Sequence, residues 1–93
     1  MIKAKKKFGQ NFLIDLSIIN KTINSINPKP KDKILEIGPG MGALTFEILK
    51  YTDSIDVIEI DLDMINFLEK RNLDKKIKLI NKNVLDLQNI FIN

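Results

Sequence analysis

The sequence contains no cysteine, no histidine and no tryptophan. Without cysteine there are no disulfides and no thiolate metal sites, which argues against a small secreted scaffold. Without histidine, the Ser-His-Asp triad, imidazole metal sites and histidine acid–base chemistry are excluded. Long apolar runs are missing as well: none approaches the roughly eighteen residues needed to cross a bilayer. The opening Met-Ile-Lys-Ala-Lys-Lys-Lys is charged, but no apolar stretch follows it, so it does not read as a signal peptide. These absences lead to an expectation of a cytoplasmic protein with no membrane and no metal partner.

The 93 residues have room for one small domain, with 44% hydrophobic and 29% charged residues, the usage of an ordinary globular chain. Fourteen Lys, seventeen Ile and ten Asn indicate a genome rich in A and T, so the lysine content is partly a codon effect. The placement of charge says more than the net +3. Lys3, Lys5, Lys6 and Lys7 lie in the first seven residues, and the rest of the chain is close to neutral. Such an arm suits contacts to a nucleic-acid backbone; the plainer reading is a solvated start.

Asp15 reads as an N-cap, and Leu16, Ile19, Ile23 and Ile26 follow at spacings of three and four as a helical core stripe. Asn27-Pro28-Lys29-Pro30 ends that helix. Residues 33–37, 55–60 and 77–80 read as strands. Residues 43–51 form a helix, and another carries Met64, Ile65 and Leu68 behind a cap at Asp61 or Asp63. Residues 83–93 read as a loop opening toward a further helix. This order predicts an α/β fold: the N-terminal part of a doubly wound, Rossmann-like parallel sheet with helices on both faces. Residues 1–14 form the arm and residues 15–93 an incomplete domain. The last strand is expected to leave an open apolar edge, so the chain reads as the first part of a larger domain.

The chemistry concentrates at Glu36-Ile37-Gly38-Pro39-Gly40-Met41-Gly42. Glycines at the end of a first strand permit a tight turn and close approach of a ligand to the backbone. Glu59 follows Gly38 by 21 residues, at the end of the next strand, where a carboxylate can accept both hydroxyls of an adenosine ribose. The Gly-x-Gly-x-Gly spacing departs from the nicotinamide fingerprint, and Glu36 is awkward beside a pyrophosphate. It suits a ligand with an amino group and a sulfonium, such as S-adenosylmethionine. Nicotinamide or flavin binding and an unliganded structural turn remain open on spacing alone.

Three ordered segments then carry a resemblance: Phe8-Gly9-Gln10-Asn11-Phe12-Leu13, the Glu36 to Thr45 stretch, and Ile58-Glu59-Ile60-Asp61-Leu62-Asp63. Together they resemble the ribosomal RNA adenine dimethylase family, and the first two favour its small-subunit branch. The resemblance implies S-adenosylmethionine-dependent dimethylation of two adjacent adenines in small-subunit ribosomal RNA. It also implies a role in maturation of that subunit, the immature small subunit as partner, and a monomer at full length. By the same resemblance Asn11 and Leu13 cover the methionine end of the cofactor, Gly38 and Gly40 contact its methionine portion, and Glu59 holds the ribose. Ile60 flanks the adenine. Asn83 stands where the family has an adenine-binding aspartate, a departure expected to weaken that contact, and Asp86 is a poorer substitute.

The family's Asn-Leu-Pro-Tyr motif, which holds the target amine, does not occur in the sequence. No catalytic residue is therefore assigned, and the 93-residue chain alone is expected to be inactive. The alternatives are a non-catalytic rRNA-binding assembly module and a truncated relic.

Overall fold

The computed structural model describes residues 15–87. Asp15 is the N-cap of α1 (Leu16–Ile26), its carboxylate accepting from the N–H groups of Ser17 and Ile18. Asn27 ends the helix in the left-handed conformation (φ 48°), and its N–H bonds the Ile23 carbonyl. A single left-handed residue is the usual way to satisfy a helix's last carbonyls, and asparagine tolerates it. Of the predicted core stripe, Ile19 and Ile23 are buried, whereas Leu16 and Ile26 are exposed. α1 meets the rest of the core through its middle turns, so the two ends of the stripe overhang it.

β1 (Leu35–Ile37), β2 (Ile55–Ile58) and β3 (Ile77–Ile80) form a parallel sheet in the order β1-β2-β3. α2 (Ala43–Ile48) and α3 (Leu62–Arg71) supply the crossovers, and a 3-10 turn follows at Val84–Leu87. Three elements are shorter than expected. β1 begins at Leu35 rather than residue 33. α2 stops at Ile48 because residues 50 and 51 bond three residues back, to Glu47 and Ile48, and tighten the chain into a turn. β2 stops at Ile58, and the exposed Ile60 already belongs to the loop. Asp61, not Asp63, is the α3 N-cap residue.

The register pairs Glu36 with Val57, Ile37 with Ile58 and Val57 with Leu79. Alternation then places Ile55, Val57 and Ile77 on one face of the sheet. There they share a single core with Ile19 and Ile23 of α1, Ile48 of α2 and Leu68 of α3. Among the described residues all three helices therefore cover the same face, half of the two-sided arrangement expected. The central strand is buried on both sides at Val57 and Ile58. Apolar exposure is greater on the first strand than on the last: Leu35 is 45% and Ile37 57% exposed, while Leu79 and Ile80 are half-buried. β1 and β3 are both outer strands of this sheet, so the edge expected at the last strand is present and the first strand adds a second one.

Asn72 starts β3. Its buried carboxamide accepts from the Ile77 N–H and donates to the Ile77 carbonyl, standing in for a neighbouring strand. No helix of the described residues is long and apolar enough to cross a membrane.

Candidate functional site

The strand C-termini end side by side, because Ile37 pairs with Ile58 and Ile58 with Ile80. The residues immediately after them are Gly38, Glu59 and Asn81. Two backbone bonds extend the ladder to this rim, from Gly38 N–H to the Ile58 carbonyl (2.8 Å) and from Glu59 N–H to the Ile80 carbonyl (3.0 Å).

From Gly38 the chain turns back into α2. Gly38, Gly40 and Gly42 all have positive φ (66°, 59° and 85°), a region that costs a side-chain-bearing residue energy. The three differ in surroundings. Among the described residues nothing lies within 4 Å of a Cβ on Gly38 or Gly40, so with respect to them that backbone faces open space. A Cβ on Gly42 would lie 2.6 Å from Leu68 Cδ2 and 2.9 Å from Phe46 Cε2. Gly38 and Gly40 thus leave room for a ligand against the main chain, and Gly42 lets the start of α2 lie against α3. The Gly42 N–H closes the turn on the Pro39 carbonyl at 2.9 Å.

Glu59 is 9% exposed, and its Oε2 accepts from the Asp61 N–H at 3.0 Å. That bond fixes the carboxylate at the start of the loop into α3. Ile60, beside it, is 64% exposed. Asn81 completes the rim from β3. Its Nδ2 donates to the carbonyls of Glu59 (2.9 Å) and Ile60 (3.2 Å), fastening the Glu59 loop to the third strand.

Asn83 lies two residues beyond Asn81. Its Oδ1 accepts from the Leu85 N–H and its carbonyl from the Asp86 N–H, so it shapes the 3-10 turn. Glu36 sits on the helix-covered face of β1, and its Oε1 accepts from the Thr45 hydroxyl at 2.5 Å. Burial pushes the Glu36 carboxyl above its ordinary value of 4.5, and the Thr45 bond pulls against that rise.

Of the expected site residues, Gly38 and Glu59 stand together at the rim, and Asn83 follows the third strand. Asn11 and Leu13, like the lysines of the arm, lie outside the described residues. Sequence reasoning missed Asn81 and Thr45. A polar residue directly after a strand is the only signal Asn81 offers, and a threonine inside a helix gives none. Among the described residues no cluster of acidic side chains is arranged to hold a metal.

This rim fits an adenosine-containing ligand. It offers backbone with open space at Gly38 and Gly40, a largely buried carboxylate anchored through one oxygen, and an exposed aliphatic side chain at Ile60 that can lie against a flat ring.

Comparisons with known proteins agree with that chemistry. The family model described as ribosomal RNA adenine dimethylase matches residues 1–91. The chain is 53% identical over 88 residues to the ribosomal RNA small subunit methyltransferase A of Wigglesworthia glossinidia brevipalpis, covering 94% of this chain and 34% of that protein. A dimethyladenosine transferase from Plasmodium falciparum superposes with a TM-score of 0.70 at 31% identity, over 77% of this chain and 27% of the other. The 23S rRNA methyltransferase ErmE superposes with a TM-score of 0.71 at 29% identity, over 81% of this chain and 31% of the other. The chain spans about a third of the length of the relatives it matches.

Proposed function

The chain belongs to the ribosomal RNA adenine dimethylase family, and from that premise we propose that it forms the cofactor-binding half of an S-adenosylmethionine-dependent rRNA adenine dimethyltransferase. The substrate proposed is a pair of adjacent adenines in small-subunit ribosomal RNA, modified in the cytoplasm during maturation of that subunit. The small-subunit assignment is supported by the 53% identity to a small subunit methyltransferase. One observation carries the cofactor reading: the two open, positive-φ glycines of one strand end stand beside the buried carboxylate of the next.

The family resemblance, together with the placement of the described residues, supports the following roles. Gly38 and Gly40 present main-chain groups to the methionine portion. Glu59, with Oε2 held by the Asp61 N–H, accepts from the ribose hydroxyls. Ile60 lies against the adenine, and Asn83 stands near its edge. Asn11 and Leu13 cover the methionine end, and Lys3, Lys5, Lys6 and Lys7 contact RNA phosphates. When bound, the cofactor supplies a methyl group made electrophilic by its sulfonium. The chain's own part is to hold that group in position and keep the adenosine end fixed.

Titration of the 93-residue chain with S-adenosylhomocysteine, followed by calorimetry, tests this reading. The chain should bind. Glu59→Ala should weaken binding by roughly 1–3 kcal/mol, the cost of leaving buried hydroxyls unpaired, with the melting temperature little changed. Absence of binding to the parent chain would remove the cofactor reading. Equal affinity in the variant would remove Glu59 from the ribose.

A further inference from the structure

Threonine inside a helix ordinarily returns its hydroxyl proton to the carbonyl four residues back. Thr22 of α1 does so, donating to the Ile18 carbonyl at 2.8 Å, and Thr52, in the bend beyond α2, donates likewise to the Ile48 carbonyl at 3.2 Å. Thr45 stands in the first turn of α2, where the residue four back, Met41, lies before the helix, and its hydroxyl turns elsewhere. It is fully buried, and it spends its one proton on the Glu36 carboxylate, nine residues back in the sequence and on a different element.

The two residues flank the glycine turn. Glu36 lies two residues before Gly38, and Thr45 three residues after Gly42. Their bond spans the turn from the end of β1 to the first helical turn of α2. The turn needs such a tie. Its three glycines have the widest conformational freedom of any residue, and all three are held in the left-handed region. At Gly38 and Gly40 no described residue lies within 4 Å of the Cβ position, so none of them holds the main chain from that side. The backbone bonds anchor Gly38 to the Ile58 carbonyl and close Gly42 on the Pro39 carbonyl, but neither ties α2 itself to β1. A carboxylate is also a costly residue to put at Glu36, since burial disfavours its charge. The structure keeps it there with a charge-assisted bond, which is stronger than a neutral one.

We infer that Thr45 is a positioning residue of the cofactor site, acting through Glu36 to hold the glycine turn in its ligand-ready conformation. Thr45 touches no ligand. It sets the separation of β1 from α2, and with it the course of the main chain at Gly38 and Gly40. The inference rests on the cofactor reading for its consequence at the ligand, but its structural content is measurable without ligand.

The test is amide hydrogen exchange by NMR on the 93-residue chain without ligand, with S-adenosylhomocysteine affinity measured in parallel. In Thr45→Val, which keeps shape and loses the hydroxyl, the Gly38 and Gly42 amides should exchange at least about tenfold faster while Val57 in the central strand is unchanged. Affinity should fall by about the same factor if ordering the turn is part of binding. Thr45→Ser should restore both. Glu36→Gln retains an acceptor and should keep the turn ordered, whereas Glu36→Leu should match Thr45→Val. Unchanged exchange in Thr45→Val, an equal rise at Val57, or failure of serine to restore order would each overturn the inference. If Thr45→Val does not fold, the contrast between Glu36→Gln and Glu36→Leu decides on the same amides. If the parent chain binds no S-adenosylhomocysteine, the cofactor reading fails, and exchange still decides the role of Thr45.

Discussion

Beneath the helices and at the strand ends, the same sheet is built on opposite terms. The covered face is apolar and closed: Ile55, Val57, Ile48 and Leu68 are almost wholly buried against one another. The rim a few residues away is polar and open. It is made of three left-handed glycines, the Glu59 carboxylate and the carboxamide of Asn81, and Glu36 lies just beneath it, where the covered face meets the rim. No buried side-chain nitrogen or oxygen among the described residues lacks a hydrogen-bond partner. At the rim, therefore, the polar groups hold one another in place before any ligand arrives. The difference separates two kinds of residue: those whose loss unfolds the chain and those whose loss leaves a folded chain that binds poorly.

The largest expected effect lies on the covered face. Leu68 is fully buried where α3 meets the sheet. Leu68→Ala should cost roughly 2–5 kcal/mol in a denaturant titration, the range for emptying such a core position. In a domain this small that is a large share of the total stability. A loss below about 1 kcal/mol would mean that the site collapses around the deletion, and the contrast between core and rim would fail at its firmest point.

Gly42 sharpens the comparison because it belongs to both regions. It sits in the glycine turn, yet its Cβ position is occupied by Leu68 and Phe46. Gly42→Ala adds a left-handed alanine and a contact at 2.6 Å. Strain of the two kinds together should destabilise by roughly 1–3 kcal/mol, although the residue lies at the edge of the proposed ligand site. At Gly38, where the Cβ position is open, the same substitution brings only the left-handed cost of about 1–2 kcal/mol. Equal losses of stability at the two positions would show that packing on α3 is not what requires Gly42.

The two regions were also unequally legible in the sequence. The order of helices and strands follows from apolar periodicity and from punctuation at Asp15, Asn27-Pro28 and the glycine turn, all local signals. The parallel sheet follows from that order. Gly38 and Glu59 could be chosen because a glycine turn after one strand and a carboxylate after the next have a meaning in themselves. What was not legible depends on partners distant in sequence. Leu16 and Ile26 continue the α1 stripe perfectly well, and only the overhang of the helix ends exposes them. Asn81 reaches back 22 residues to the Glu59 carbonyl, and Thr45 nine residues to Glu36. A hydroxyl or carboxamide has many partners available to it locally, so its sequence context does not say which one it takes. The greater apolar exposure of β1 than of β3 was illegible for the same reason. Both are outer strands, and which of the two is better covered depends on packing from elsewhere in the chain, of which periodicity within a strand carries no trace.

The smallest expected effect is the one that separates core from rim most cleanly, because it should raise stability. Burial lifts the Glu36 carboxyl above its ordinary value of 4.5. The folded chain then holds that proton more firmly than the unfolded chain does. Below the ordinary value both states are protonated, and the group contributes nothing to pH dependence. As pH rises through the ordinary value and then through the raised one, the unfolded chain releases its proton first, and stability falls. Above both values the folded chain carries the full cost of a buried charge, reduced by the Thr45 bond. Glu36→Gln removes the charge and keeps an acceptor for Thr45. Its melting temperature should match the parent's in acid, exceed it increasingly as pH rises through that window, and then run parallel to it toward neutrality. Thermal unfolding of both proteins from about pH 4 to about pH 8 checks this course. A difference independent of pH would show that Glu36 titrates alike in both states. A variant less stable at neutral pH would show that the carboxylate strengthens the fold, and that the rim obeys the same terms as the core.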